Sequence, residues 1–134
     1  MIISIEYTGI DVSLDNINYA KKNFKDANFE NTTIQNFSTT QKFDLVLSSY
    51  VLQHIKPNDI EYVMKKMTSL TAKHIVCIEN FKKSIIAMFV FHNFIHNYKT
   101  LLENNNLKFT QINIPVKKLP TAIFYGTQQN DVSV

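Results

Sequence analysis

The stretch Tyr7-Thr8-Gly9-Ile10-Asp11-Val12-Ser13 decides the fold of this chain of 134 residues. It predicts a strand over Ile2–Asp11 and a helix directly after it, because the Ser13 hydroxyl can cap a helix N-terminus. The apolar residues that follow recur at helical spacing: Ile17, Ala20 and Phe24. Asp11 therefore ends a strand immediately before a helix. In nucleotide-binding α/β folds an acid at this position accepts hydrogen bonds from the two hydroxyls of a ribose.

Composition and charge exclude several classes of protein. Hydrophobic residues make up 45% of the chain and charged residues 19%, as is usual for a globular domain. The net charge is +3, all 14 basic residues are lysine, and they are scattered. Because arginine is the residue that reads guanine and phosphate with a two-pronged fork, we expect no nucleic-acid partner.

The setting predicted for the chain is cytoplasmic, without a membrane partner. Cys77 is the only cysteine, so no internal disulfide can form, which is the usual situation in a reducing compartment. The N-terminus has no signal-peptide pattern. The longest apolar run, Ile85–Phe91, is far shorter than the roughly 20 residues that a bilayer span needs.

Hydrophobic periodicity predicts a single α/β domain over residues 1–134, with a loose tail at 127–134. The predicted order is β-α-β-β-α-β-α-β-β, which indicates an α/β sheet with a terminal hairpin. After the first strand and helix, the segments are strands at Asn31–Asn36, Phe43–Leu47 and His74–Glu79, helices from Pro57 and over Ser84–Glu103, and a hairpin of Leu107–Ile114 with Thr121–Thr127.

Two details of the C-terminal half are also predicted. Asn104–Asn106 should end the preceding helix, since Asn tolerates the left-handed conformation of a helix stop. The apolar pair Leu107 and Phe109 is out of phase by one residue with Ile112 and Ile114, which predicts a β-bulge in this strand.

Three segments together resemble the class I S-adenosylmethionine (SAM)-dependent methyltransferases. The first is the opening stretch with Ala20-Lys21 after it. The second is Phe43-Asp44-Leu45-Val46-Leu47-Ser48-Ser49-Tyr50-Val51-Leu52-Gln53-His54-Ile55, which is similar to the fourth strand and following turn of the family. The third is the terminal hairpin. The resemblance implies a Rossmann-like sheet, mostly parallel with a C-terminal antiparallel hairpin, SAM as cofactor, and methyl transfer to a small-molecule acceptor.

The chain departs from the family where the first strand and the Gly-x-Gly-x-Gly loop would stand. It has two glycines in all, Gly9 and Gly126. In the family the first strand lies between the second and the fourth. We therefore expect one of three arrangements: Ile2–Asp11 pairs directly with Phe43–Ser48, a strand comes from another copy in a dimer, or the chain is part of something longer. A truncated, non-catalytic module for binding or oligomerisation is the alternative function.

The resemblance also implies the residues of a cofactor site. Asp11 would accept from the ribose, with Val12 beside it. Asn36 could meet the adenine amino group and Phe37 could cover the ring. The alternative for these two is a residue that ends a strand and a core Phe. Ser48 and Ser49 would lie near the methyl group.

Two residues are candidates for catalysis, and no metal is expected. His54 or Tyr50 could accept a proton, because the imidazole pKa suits transfer near neutral pH. His54 could equally serve only to order the turn. His92 and His96 stand four apart, as ligands on one helix face would, but no third ligand is evident. We expect Ile85–Phe91 to form an oligomer contact or a substrate lid, with a buried helix as the alternative.

Overall fold

The computed structural model describes residues 4–82, 93–114 and 120–129. The chain forms two compact units, Met1–Thr40 and Gln41–Val134. Among the described residues, no helix is long and apolar enough to cross a bilayer.

The first unit is a small β-α-β arrangement. It contains β1 (Thr8–Asp11), α1 (Leu14–Asn23) and β2 (Asn28–Asn31), and the two strands pair in parallel with Thr8 opposite Asn28. The Ser13 hydroxyl accepts a hydrogen bond from the backbone N–H of Asn16, as predicted for the N-cap of α1. Ile17 fixes the buried side of this helix.

Two predicted strand positions in this unit are wrong. Strand β1 begins at Thr8, so described residues 4–7 lie outside it, and β2 covers Asn28–Asn31, so it ends where the strand predicted over Asn31–Asn36 was to begin. The β-branched Thr33 instead closes a turn: its carbonyl and its hydroxyl oxygen both lie 3.2 Å from the backbone nitrogen of Asn36. Threonine hydroxyls compete in this way with strand pairing.

Gly9 allows β1 to pack closely under an aromatic ring. It stands opposite Phe29 in the β1–β2 pair, and a Cβ atom at Gly9 would lie 2.9 Å from the Phe29 ring. Tyr7 packs on the same ring at 5.8 Å between centroids. A side chain at position 9 would therefore displace the aromatic cluster that supports the start of the Asp11 turn.

In its described residues, the second unit is a four-stranded sheet with two α-helices and a short 3-10 turn. Its strands lie in the order β3-β4-β6-β5. Strands β3 and β4 are parallel, and the other two pairs are antiparallel. The elements are β3 (Phe43–Ser49), the 3-10 turn Leu52–His54, α2 (Ile60–Leu70), β4 (Thr71–Asn80), α3 (Tyr98–Glu103), β5 (Leu107–Asn113) and β6 (Thr121–Gln128).

One face of this sheet carries the core of the unit. The predicted apolar stripe of α2 is buried throughout: Ile60, Val63, Met64, Met67 and Leu70. Helix α2 packs against β3 and β4, and α3 packs against β5 and β6. Cys77 on β4 is fully buried, and burial raises the pKa of its thiol to about 12. The opposite face carries Leu45 and Leu47 of β3, which are 51% and 57% exposed.

The terminal hairpin is confirmed, and its predicted bulge is wrong. Leu107 pairs with Gln128 and the register continues unbroken to Asn113 opposite Ala122. The two apolar pairs are out of phase because they serve opposite faces of a regular strand: Leu107 is buried, whereas Ile112 is 55% exposed. The irregularity of the sheet lies instead between Phe43 and Leu45. Strand β6 extends to Gln128, into the segment predicted as a tail.

Direct pairing of the first strand with Phe43–Ser48 is also wrong. Within the described ranges, β1 is hydrogen-bonded to β2 alone and β3 to β4 alone. Each of these strands therefore keeps one edge whose backbone groups have no strand partner in the described part of the chain.

The long helix predicted over Ser84–Glu103 is only partly present. Residues 93–97 are not helical, and α3 covers Tyr98–Glu103. Asn106 has a φ of 60°, so the predicted left-handed stop is confirmed. Ile85–Phe91 and His92 lie outside the described residues.

Candidate functional site

The β1–α1 turn holds Asp11 in a fixed geometry. Its Oδ1 accepts a hydrogen bond from the backbone N–H of Ser13 at 2.7 Å, and its Oδ2 accepts from Nδ2 of Asn16 at 3.3 Å. The side chain of Asn31 donates to the backbone carbonyls of both Asp11 and Val12, each at 2.9 Å. Asn31 is a residue that the sequence analysis missed; it ties the end of β2 to this turn.

The Asp11 carboxylate retains capacity for a ligand. A carboxylate offers about four acceptor positions, two on each oxygen. The hydrogen bonds from Ser13 and Asn16 occupy one position on each oxygen of Asp11. The side chain is only half-buried, and the neighbouring Val12 is 73% exposed. The turn can therefore accept two further hydrogen bonds from vicinal hydroxyl groups, which is the chemistry expected of a ribose acceptor.

The residues predicted to contact an adenine lie in and after the turn that follows β2. Asn36 is exposed, so its amide side chain is open to solvent. Phe37 is 6% exposed, so most of its ring is packed within the protein. Sequence reasoning placed both directly at a strand end, whereas β2 ends at Asn31.

The end of β3 and the loop after it gather several predicted residues of the second unit. We call Tyr50–His54 the strand-end loop. Ser48 is 8% exposed and its hydroxyl donates to Glu79 Oε1 at 3.2 Å, while Ser49 is exposed. Tyr50 begins the loop with a φ of 53°, in the left-handed region that residues with a Cβ atom seldom adopt.

Glu79 is the centre of this arrangement, and the sequence analysis missed it. Its side chain is fully buried. Its Oε1 accepts from the backbone N–H groups of Val51 at 3.1 Å and Leu52 at 3.0 Å, and its Oε2 lies 3.4 Å from the nitrogen of Gln53. Burial raises the pKa of the Glu79 carboxyl, and these backbone hydrogen bonds act in the opposite direction.

A second chain of hydrogen bonds runs from the next residue of β4. Asn80 donates to Oε1 of Gln53 at 2.8 Å and accepts from the Thr121 hydroxyl at 3.4 Å. The Thr121 hydroxyl oxygen in turn lies 2.9 Å from the Tyr50 hydroxyl. Glu79 and Asn80 thus hold the backbone and the first side chain of the strand-end loop respectively.

Two histidines of this unit, His54 and His96, differ in their surroundings. His54 ends the loop with an exposed ring, and its Nε2 lies 3.4 Å from Nε2 of Gln53. His96 is half-buried, and its Nε2 donates to the Leu52 carbonyl at 2.9 Å. Burial lowers the pKa of His96. Among the described residues, no group of three His, Cys, Asp or Glu side chains could hold a metal ion.

A signal for Glu79 was present in the sequence. The apolar run of β4 ends in Glu79-Asn80, and Ser48-Ser49 ends the parallel neighbour β3. Because the carboxyl ends of parallel strands meet at one edge of a sheet, an acid that ends a buried strand is expected beside such hydroxyls.

The described strands and helices form an α/β fold with two parallel strand pairs, β1–β2 and β3–β4, and two antiparallel pairs, β4–β6 and β5–β6. A family model described as "Methyltransferase domain" matches residues 2–74. The match covers more than half of the chain, so the chain belongs to this family, and the predicted resemblance is confirmed. No curated protein matches the chain.

Solved structures, two of them of methyltransferases, share the fold. The magnesium protoporphyrin IX methyltransferase ChlM from Synechocystis PCC 6803, with bound SAH, aligns at a TM-score of 0.76 and 15% identity over 92% of this chain and 64% of that one. The N-methyltransferase NodS from Bradyrhizobium japonicum WM9 aligns at a TM-score of 0.76 and 18% identity, over 93% of this chain and 74% of that one. The PH0226 protein from Pyrococcus horikoshii OT3 aligns at a TM-score of 0.71 and 17% identity, over 92% of this chain and 72% of that one. The chain thus spans less than two thirds of the ChlM structure.

Proposed function

We propose that this protein is a SAM-dependent methyltransferase that acts on a small molecule. The observation that carries the proposal is the Asp11 turn, in which a carboxylate at a strand end is held by Ser13 and Asn16 and keeps two acceptor positions open. Membership of the methyltransferase domain family supports the same reading. Structures of the similar ChlM protein contain SAM or SAH.

The residues of the first unit fit the nucleoside part of this cofactor. Asp11 would accept from the ribose hydroxyls, and the exposed Val12 would lie beside it. The exposed amide of Asn36 would offer its carbonyl oxygen to the adenine amino group. Phe37 would contribute only the small exposed part of its ring.

The residues of the second unit supply the candidate groups for the acceptor. When bound, SAM would supply the methyl group: an O, N or C nucleophile of the acceptor would attack the methyl carbon in line, the bond from that carbon to the sulfonium sulfur would break, and SAH would leave with the electron pair. Ser48 and Ser49 are the proposed cofactor contacts of this unit. His54, with its exposed ring, is the first candidate to take the proton of the acceptor, and Tyr50 is the second. Positioning would provide most of the rate enhancement.

Calorimetric titration with SAM and with SAH tests the proposal. We expect micromolar binding by the wild type and a loss of about 3 kcal/mol in Asp11→Ala, or roughly 100-fold in Kd, because two hydrogen bonds to a charged acceptor disappear. Asp11→Asn should lose nearly as much, since its amide nitrogen donates where the carboxylate accepts. Asp15→Ala, an exposed carboxylate on α1, is the matched control and should bind as the wild type does.

The second candidate function is a non-catalytic module that acts in binding or as a homodimer. The unpaired edges of β1 and β3 in the described residues favour it, together with the exposed Leu45 and Leu47 beside the β3 edge. No heat with millimolar SAM, together with a dimer mass by light scattering, would favour this function over the first.

A further inference from the structure

We propose that Glu79 is the positioning residue of the strand-end loop. Its carboxylate fixes the backbone of Val51–Gln53, and through this it fixes the directions in which the side chains of Tyr50 and His54 leave the loop. This inference rests on the function proposed above, because the loop carries both candidate proton acceptors, Tyr50 and His54.

Three consecutive backbone N–H groups converge on the Glu79 carboxylate. Val51, Leu52 and Gln53 all direct their nitrogens at one carboxylate, at 3.1, 3.0 and 3.4 Å. Ser48 adds a fourth donor from the strand below the loop. Successive N–H groups that converge in this way form an anion-binding concavity, as phosphate-binding loops do. Here the anion is a side chain of the protein.

Burial makes the loop and the carboxylate depend on each other. Glu79 is 0% exposed, and a buried carboxylate is costly unless donors surround it. The first N–H groups of the 3-10 turn Leu52–His54 likewise have no partner within that turn. One set of hydrogen bonds therefore satisfies both the carboxylate and the backbone N–H groups.

The backbone of Tyr50 shows that the loop is held against its local preference. A φ of 53° is unfavourable for a residue with a Cβ atom and persists only where the surroundings determine it. Two hydrogen bonds to neighbouring strands hold Tyr50 in this conformation. Its backbone N–H donates to the Ile78 carbonyl at 2.9 Å, and its hydroxyl is hydrogen-bonded to the Thr121 hydroxyl. Glu79 fixes the segment directly after the strained residue.

Amide hydrogen exchange on the full chain tests the positioning role without any ligand. Glu79→Leu keeps the volume and removes every acceptor, whereas Glu79→Gln keeps one acceptor oxygen. We expect the amides of Val51–Gln53 to exchange at least tenfold faster in Glu79→Leu and by an intermediate factor in Glu79→Gln. The control Leu102→Ala, at a fully buried residue of α3, should accelerate core amides without singling out these three.

Titration of the same variants with SAM separates positioning from a merely structural effect. We expect SAM to bind at least tenfold more weakly to Glu79→Leu and within threefold of the wild type to Leu102→Ala. Wild-type exchange at the three amides in both Glu79 variants would overturn the positioning role. Equal SAM affinity of Glu79→Leu and the wild type would overturn its link to the site. A wild type that binds no SAM would overturn the proposed function and leave the exchange result to decide on Glu79.

Discussion

Removing the hydroxyl of Tyr98 should stabilise the protein. The side chain is 2% exposed, and its hydroxyl oxygen has no hydrogen-bond partner in the described structure. Burial raises the pKa of this hydroxyl. The ring itself stacks on Phe124 with 4.3 Å between centroids, and that contact survives in Tyr98→Phe.

The expected gain follows from the cost of an unsatisfied buried hydroxyl. That cost is about 1–3 kcal/mol, so Tyr98→Phe should raise the free energy of unfolding by about 1–2 kcal/mol. For a chain of this length the melting temperature should rise by about 4 °C for each kcal/mol.

Urea denaturation and thermal melting of Tyr98→Phe measure the effect. Tyr62→Phe is the matched control, because Tyr62 is 58% exposed and water already solvates its hydroxyl. It should change stability by less than about 0.5 kcal/mol. A Tyr98→Phe protein that is less stable than the wild type by about 1 kcal/mol would refute the reasoning, since it would mean that the hydroxyl makes a net favourable bond.

Three further predictions concern packing and pH. Gly126→Ala should destabilise the protein by about 1 kcal/mol in urea denaturation, because the new Cβ would lie 3.1 Å from Leu102 and 3.2 Å from Leu107. The raised pKa of the Glu79 carboxyl means that the folded state binds this proton more tightly than the unfolded state does. Protonation of Glu79 therefore adds to the free energy of unfolding. That stabilisation is complete below pH 4.5 and is lost as the pH rises through the raised pKa of the folded state. Glu79→Gln should flatten that part of the profile; an unchanged slope would contradict the assignment. The lowered pKa of His96 acts in the opposite sense, so stability should fall as pH falls below 6.5, and His96→Gln should remove that loss.

The elements that the sequence predicted well have local causes. Helix α1 begins where Ser13 caps it, α2 buries the stripe that its periodicity indicated, and the left-handed Asn106 stops α3. Each of these signals lies within a few residues of the structure that it controls. Hydrophobic periodicity also predicted the order of the elements, and the described strands and α-helices follow that order.

The features that the sequence did not predict depend on distant partners. The hydrogen bond from Val51 to Glu79 joins residues 28 apart in the chain. The position of β2 depends on its pairing with β1, which overrides the β-branched character of Thr32 and Thr33. The apparent bulge in β5 arose because a strand with two differently exposed faces can change its apolar phase without any change of register.

The single thiol, Cys77, can report on local unfolding of the sheet. Cys77 lies on the central strand β4, between β3 and β6, and no surface of it is exposed. Its raised pKa, about 12, keeps it as an unreactive thiol in the closed sheet. Iodoacetamide would therefore alkylate Cys77 only in molecules in which β4 is locally unfolded. The alkylation rate of the unmodified protein would then measure the population of those molecules without any introduced label.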